Sequence, residues 1–366
     1  MIDRRIVGHA AAASVAAAAV FAAILPWVVL YHQETTGSGG FYTAMARHPG
    51  TFTTGPEGFR ILTPWLVSLL PGSIEHGFMA VTILCLALSA GLLFVLVALL
   101  MGIRNAWWGV ALFAVSGPVV GGLRDPFLVD PLGYVFVLSA LILLYFRRWF
   151  ALALVMGAAV FEKESTLVVL LPAAIVAATD RPRQLLRFAP VLLLPVAGFI
   201  AIHMTPLIWE HRGHHSWIED IPGMWRYQRD EVGLYRAPLQ AVLYSLGPMW
   251  AIAFLGLRRA HPFLRLCTPF VPLMVASCIA AADWPRIIGW CFPIVIALVL
   301  AAPLTQAARA VLAGAVFVDA AVSQALATSA GKEAFLLLVF VLGAASPWLL
   351  GERAELGVVR KLRGLR

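Results

Sequence analysis

The stretch GFMAVTILCLALSAGLLFVLVALLM, residues 77–101, carries no charged side chain and decides the class of this protein. Roughly 20 consecutive apolar residues in a helix span the ~30 Å hydrocarbon core of a bilayer. The same character extends along the chain, because 61% of its 366 residues are hydrophobic and 13% are charged. Soluble domains have about a quarter of their residues charged and need a polar surface. The composition excludes a soluble enzyme, a disordered protein and a nucleic-acid-binding module, and it indicates membrane lipids as the surroundings.

The apolar runs predict an all-α polytopic membrane protein in which residues 1–366 form one integral membrane domain. We expect about 12 transmembrane or re-entrant helices, within a range of about 10–13. The predicted spans are 7–30, 77–101, 106–122, 131–146, 149–161, 165–179, 188–206, 238–257, 266–282, 287–306, 310–328 and 334–351. The first run is longer than the roughly 7 to 15 residues of a signal-peptide core, so it is expected to remain as an uncleaved span.

The distribution of charge predicts the orientation of these spans. One set of alternating loops holds 17 of the 27 basic residues and four of the 19 acidic residues, whereas the other set holds ten basic and 14 acidic residues. Basic residues accumulate in short cytoplasmic loops. We therefore expect both termini in the cytoplasm, and the high Ala and Arg content fits a bacterial inner membrane. The four cysteines lie in apolar runs without a CxxC spacing and are expected to be apolar fillers.

Chemically versatile residues collect on the predicted external side. Three short turns there combine opposite charges: Arg124-Asp125 with Asp130, Glu162-Lys163-Glu164, and Asp283-Trp284-Pro285-Arg286. An ionisable group at a helix end that faces a cavity is a functional candidate. The alternative is that these charges pair with one another or reach the lipid headgroups.

Two longer external loops are predicted, at 31–59 and 207–236. The region 31–71 contains Glu34 and two amphipathic segments expected at the membrane interface, 41–47 and 60–71, the second anchored by Trp65. A carboxylate can act as a general base towards a hydroxyl, and Arg or Lys can hold a phosphate.

The loop 207–236 combines histidines, aromatic residues and mixed charges, which suit a sugar or an interfacial belt. Gly213 and the absence of an HExxH pattern favour a polar lid over a metal site. Asp319 lies in the middle of a predicted span, either as part of a proton relay or as a buried, hydrogen-bonded carboxyl.

Four segments resemble the GT-C superfamily of multi-spanning glycosyltransferases, which use polyprenyl-phosphate sugars. They are FYTAMA (41–46), GFRILTPWLVSLLP (58–71), RDPFLVDPLGYVFVLSALILL (124–144) and RRWFALALVMGAAVFEKESTLVVLLP (147–172). The R-x-L-x-P pattern at 60–64 and the Lys163-Glu164 pair are similar to segments of bacterial members. The likeness covers roughly the first half of the chain, and the second half contributes only the architecture.

The resemblance implies an inverting glycosyltransferase that moves a sugar from a polyprenyl-phosphate donor to an envelope glycan, lipid or protein at the external membrane face. It implies that the catalytic candidates are Glu34, Asp125 and Asp130. The substrate- and phosphate-binding candidates are Arg60, Arg124, Glu162, Lys163, Glu164 and Tyr42, together with Trp284 and Arg286 from the charged turn at 283–286. The expected partner is the lipid-linked sugar donor, and a divalent metal, Mg²⁺ or Mn²⁺, is the one cofactor left open.

One departure from the family pattern leaves the identity of the base open. Such proteins usually carry an Asp a few residues before the Tyr of the first-loop helix, whereas this chain has Ser-Gly-Gly-Phe at 38–41 before Tyr42. Either Glu34 has taken the role, or Asp125 or Asp130 supplies the base, or the chain no longer catalyses transfer. The other function classes are a transporter or flippase for lipid-linked glycans, and a polymerase subunit or non-catalytic scaffold.

Overall fold

Helices joined by short turns make up the part of the chain that the structure describes. The structure, a computed structural model, describes residues 2–29, 37–49, 57–179, 182–203, 222–223, 225–226, 228–233, 236–278, 283–325 and 330–350, and no strand occurs among them. The α-helices are α1 (Arg4–Val28), α2 (Gly37–Arg47), α3 (Leu62–Ser68), α4 (Ile74–Met101), α5 (Ile103–Ala114), α6 (Gly117–Arg124), α7 (Asp130–Tyr145), α8 (Trp149–Ala159), α9 (Leu170–Thr179), α10 (Pro182–His203), α11 (Arg236–Ser245), α12 (Met249–Leu257), α13 (Pro262–Cys267), α14 (Phe270–Ser277), α15 (Trp284–Gly289), α16 (Phe292–Ala301), α17 (Gln306–Ala325) and α18 (Ala330–Leu350). Short 3₁₀ segments occur at Glu57–Phe59 and Glu164–Val169, and a π-helical segment at Gln228–Gly233.

Within the described residues, three helices are long and apolar enough to cross a membrane: Arg4–Val28, Ile74–Met101 and Gln306–Ser323. The number rises to five if each of two bent pairs, α5 with α6 and α11 with α12, is counted as one span. Other apolar helices have 10–17 residues, which at about 1.5 Å per residue is shorter than the hydrocarbon core. The all-helical prediction is therefore confirmed and helices able to cross a membrane are present, whereas the count of twelve crossings is not confirmed.

Helix α4 forms the centre of the bundle. It is apolar on all sides, and α1, α5 and α7 pack against it. Gly91 of α4 lies so close to Ser14 and the Ala10 carbonyl of α1 that an added Cβ would collide with them. Small residues allow helices to approach closely in this way. The tight packing of α4 against α7 fixes the position of Asp130, the first residue of α7.

Two of the predicted spans consist of bent helix pairs. The run 106–122 corresponds to α5 and α6, which meet at 44°, and the run 238–257 corresponds to α11 and α12, which meet at 79°. Pro248 follows Gly247, whose φ of 51° lies in the left-handed region that glycine adopts at little cost. Gly117 at the start of α6 packs directly on the carbonyls of Tyr244 and Ser245 at the end of α11. This contact brings the start of α6 and the end of α11 together.

The shorter predicted elements are present with modified bounds. The interfacial segment 41–47 belongs to a longer helix, α2, and the segment 60–71 contains α3, on which Trp65 is half exposed. The region 149–179, whose two apolar pieces are short, forms two separate helical pieces, as predicted. The turn between them carries Glu162 and Lys163.

Candidate functional site

The three charged turns predicted from the sequence meet at Asp130. This carboxylate is 3% exposed. Its Oδ1 atom accepts hydrogen bonds from Lys163 Nζ at 2.6 Å and from Trp290 Nε1 at 2.8 Å. Its Oδ2 atom lies 3.9 Å from Arg286 Nε. A single buried side chain therefore joins the turns at 124–130, 162–164 and 283–286.

The turn at 162–164 also binds the region 31–71. Glu162 accepts hydrogen bonds from the backbone N–H of Thr63 at 3.0 Å and contacts the Thr63 hydroxyl at 2.6 Å. Glu164 pairs with Arg60, whose Nε lies 3.1 Å from Oε2. Arg60 Nη1 also donates to the Tyr42 hydroxyl at 3.0 Å. The charges thus pair with partners from other segments of the chain, and the three adjacent residues do not pair with one another.

Aromatic packing fixes the same junction. The Trp290 ring is fully buried, and the ammonium group of Lys163 lies 5.2 Å from its centroid, within the range of a cation–π contact. The ring also packs on Gly133 of α7, where any added Cβ would overlap with it. Lys163 is 1% exposed, so its charge is stabilised only by the protein groups around it. These contacts fix the positions of Asp130, Lys163 and Trp290 relative to one another.

A polar cavity of about 270 Å³ opens beside this junction. The ionisable residues that line it are Arg124, Asp125, Asp130, Tyr134, Tyr244, Asp283 and Arg286, and glycine, proline and leucine residues of α6, the following turn, α7 and α15 complete the wall. Three buried polar atoms of these residues have no hydrogen-bond partner in the structure: Asp130 Oδ2, Arg286 Nε and Tyr244 Oη. Buried polar groups are nearly always hydrogen-bonded in native proteins. Asp130 Oδ2 and Arg286 Nε lie 3.9 Å apart and form an ion pair, and the Tyr244 hydroxyl is available as a donor to a polar ligand.

Asp125 is the carboxyl in the cavity lining that is best suited to accept and release a proton. It follows α6 directly, and burial raises its pKa to about 6, with repulsion from Asp130 and Asp283 adding to the increase. Arg286 and the backbone N–H of Phe127 partly oppose the increase because they favour the carboxylate. A base is most effective when its pKa lies near the working pH. At neutral pH Asp125 is mostly ionised and still able to accept a proton.

The structure places the predicted site residues in two adjoining groups. Arg124, Asp125, Asp130 and Arg286 line the cavity. Tyr42, Arg60, Glu162, Lys163 and Glu164 form the ion-pair and hydrogen-bond network behind it. Trp284 belongs to α15 but does not line the cavity. Glu34 and the histidines of the loop 207–236 lie outside the described residues.

Sequence reasoning missed three residues of the site, Tyr134, Trp290 and Tyr244. All three lie in predicted apolar spans, where aromatic residues are common, and none carries a local signal. For the metal left open by the sequence, the described part of the chain holds no group of three or more His, Cys, Asp or Glu placed as ligands.

No protein-family model, curated protein or solved structure matches this chain. The buried junction at Asp130, the cavity in front of it and the charges that line it are therefore the basis for assigning a function.

Proposed function

We propose that this protein is a membrane glycosyltransferase that moves a sugar from a polyprenyl-phosphate donor to a hydroxyl of an envelope glycan, lipid or protein acceptor, with inversion. The observation that carries the proposal is the cavity in which Asp125, a carboxyl of raised pKa, lies with Arg124 and Arg286. This reaction needs a base for a hydroxyl and cations for a phosphate within one site. The resemblance of four segments to the GT-C superfamily supports the same assignment.

In the proposed reaction, the acceptor hydroxyl oxygen attacks the anomeric carbon of the sugar as Asp125 takes the hydroxyl proton. The bond from the anomeric carbon to the phosphate oxygen breaks, and its electron pair leaves with the polyprenyl phosphate. Arg124 and Arg286 stabilise the negative charge that grows on the departing phosphate. Asp125 then releases the proton to solvent, so that the enzyme returns to its starting state.

Asp130 is assigned a positioning role in this proposal. Its Oδ1 atom is already occupied by Lys163 and Trp290, so it is poorly placed to accept a further proton. Its Oδ2 atom faces Arg286, which orients the guanidinium group towards the cavity. The ion pair of Arg60 with Glu164 holds the region 31–71 against the same junction. The network thereby keeps the base and the phosphate-binding cations at fixed separations.

The proposal includes the twelve-crossing topology, with both termini in the cytoplasm of a bacterial cell and the cavity at the external membrane face. The ion pairs between separate segments support it, because Arg47–Glu75, Arg60–Glu164, Lys163–Asp130 and Arg236–Glu333 all join segments assigned to the external side. On the other side, Arg309 donates to Asn105 at 2.8 Å, and both residues belong to loops assigned to the cytoplasm.

The test is transfer of labelled sugar from a polyprenyl-phosphate donor by the purified protein. Asp125→Asn should lower the rate by about 10²–10⁴-fold, the range typical of a general base. Glu75→Gln is the matched control, because it removes one carboxylate that pairs with exposed Arg47, and neither residue lines the cavity. The control should transfer at the wild-type rate. Full activity of Asp125→Asn would remove the basis of the mechanism.

A second candidate function, a transporter for lipid-linked glycans, is favoured by Asp319. This carboxyl is 2% exposed, its Oδ1 atom has no hydrogen-bond partner, and it packs against Gly247 at the break between α11 and α12. Buried carboxyls beside broken helices are typical of transporter sites. Counterflow of a lipid-linked glycan in proteoliposomes, abolished by Asp319→Asn and retained by Asp125→Asn, would favour this function over transfer.

A further inference from the structure

We infer that Tyr244, Lys332 and Arg124 form an anion-binding end of the cavity that receives the phosphate of a lipid phosphate ester. The inference rests on the proposed function, because it names the part of the cavity that holds the donor's phosphate. Two of its three residues, Tyr244 and Lys332, come from the second half of the chain, in helices α11 and α18.

Tyr244 supplies a hydrogen-bond donor without a partner. It lines the cavity, and its buried hydroxyl has no hydrogen-bond partner in the structure. A phenol is neutral at pH 7 because its ordinary pKa is about 10, so it can donate to an anion. An unsatisfied buried hydroxyl costs about 1–3 kcal/mol. A bound phosphate oxygen would remove this cost.

Lys332 lies directly behind the Tyr244 ring. Its Nζ atom is 4.9 Å from the ring centroid and donates to the Ser323 carbonyl at 2.8 Å, and the residue is 5% exposed. A cation over the ring draws electron density from the phenol and strengthens its O–H as a donor. Lys332 is therefore a positioning residue: it acts on the ligand through Tyr244 and through the electrostatic attraction of its own positive charge.

Arg124 adds a second positive charge on this side. It lines the cavity and is close enough to Lys332 for the two positive charges to repel each other. Glu333, the carboxylate next to Lys332 in sequence, attracts Lys332 and is itself held by Arg236 and Gln240. An anion placed near both cations relieves their repulsion, and a phosphate offers several acceptor oxygens at once. A phosphate monoester or diester is therefore the ligand chemistry that fits.

The carboxylates Asp125, Asp130 and Asp283 gather instead around Arg286. The carboxylates suited to a hydroxyl acceptor therefore lie around Arg286. At Tyr244, the cations Lys332 and Arg124 act beside the acids Glu333 and Asp319. A donor with its phosphate near Tyr244 would direct its sugar towards Asp125.

The experiment measures binding of three probes to the purified full-length protein: farnesyl phosphate, farnesol and inorganic phosphate. Tyr244→Phe removes only a hydroxyl that has no partner, so it should not lower the thermal stability, and it should weaken farnesyl phosphate binding about tenfold. Lys332→Gln should weaken it to a similar extent, and Lys332→Arg should restore most of the affinity. Arg47→Gln is the matched control: it also removes one positive charge, but from the exposed pair with Glu75, neither of which lines the cavity, and it should bind as the wild type does.

Farnesol separates recognition of the phosphate from recognition of the chain, because its affinity should not respond to either variant. Inorganic phosphate identifies the source of the ligand: an equal affinity for phosphate alone, with the same response to Tyr244→Phe, supports a site for free phosphate. Wild-type affinity of Tyr244→Phe for both phosphate probes would overturn the inference. So would equal wild-type affinity for farnesol and farnesyl phosphate. This experiment measures binding and not sugar transfer. Weaker binding by Tyr244→Phe would therefore support the anion-binding site even if the purified protein transferred no sugar.

Discussion

Replacement of Lys163 by Met should destabilise the protein by about 3 kcal/mol. The substitution keeps the length and apolar stem of the side chain but removes the ammonium group, which lies 2.6 Å from Asp130 Oδ1. Both side chains are almost fully buried, with 1% and 5% of their surface exposed. Loss of one partner of a buried ion pair costs about 3–5 kcal/mol, because the other charge remains without compensation. The lower end applies here, since Asp130 keeps its bond from Trp290 and the nearby charge of Arg286.

The double variant Lys163→Met with Asp130→Asn provides the sharpest test of this reasoning. The amide introduced by Asp130→Asn is uncharged and its oxygen could still accept the Trp290 N–H, so the double variant should be more stable than Lys163→Met alone by about 1–2 kcal/mol. Unfolding in mixed micelles with increasing denaturing detergent, followed by tryptophan fluorescence, gives the free energies. Arg47→Gln breaks an exposed ion pair and should cost less than about 1 kcal/mol. The reasoning would be refuted if Lys163→Met also cost less than about 1 kcal/mol, or if the double variant were less stable than Lys163→Met alone.

The raised pKa values of Asp125 and Glu162 predict how the transfer rate and the thermal stability depend on pH. The transfer rate should rise with pH to a plateau, with its midpoint near pH 6, because burial raises the pKa of Asp125 to about 6. Arg286→Gln removes a charge that favours the carboxylate, so it should move this midpoint to a higher pH. An unchanged midpoint in Arg286→Gln would contradict the assignment of Asp125 as the base. Burial also raises the pKa of Glu162 from 4.5 to about 8, with hydrogen bonds from Thr63 opposing the increase. The folded protein therefore binds this proton more tightly than the unfolded chain, and the resulting stability is complete below about pH 4.5 and lost as the pH rises through about 8. Thermal unfolding midpoints between about pH 6 and 9 should fall less for Glu162→Gln than for the wild type, and parallel curves would show that Glu162 is not the group responsible.

Much of the helical arrangement could be predicted from hydrophobicity along the chain. The predicted spans 77–101 and 131–146 differ from α4 and α7 by at most three residues at either end. The bends were harder to predict, because a uniform apolar run does not reveal where the backbone turns. For the bend at 246–248, the Gly247-Pro248 pair was an available signal, since proline disfavours the helical conformation in the residue before it.

The site could be predicted only in part. The short charged turns were recognised because several ionisable groups at helix ends are unusual in a membrane protein. Which turn pairs with which depends on long-range packing, so the contacts of Lys163 with Asp130 and of Arg60 with Glu164 were not predictable. Trp290 and Tyr244 gave no signal at all, because their polar atoms are a small part of apolar side chains within apolar runs.

The three charged turns must lie together on the external face if the cavity is to meet a lipid-linked donor there. Single cysteines at two exposed positions test this most directly, since the four native cysteines are buried. Asp283→Cys lies at the cavity, and Arg258→Cys lies in a loop assigned to the cytoplasm. In intact cells a membrane-impermeant maleimide should label Asp283→Cys, and it should label Arg258→Cys only after the membrane is opened. Labelling of Arg258→Cys alone in intact cells would place the cavity on the cytoplasmic side and contradict the account.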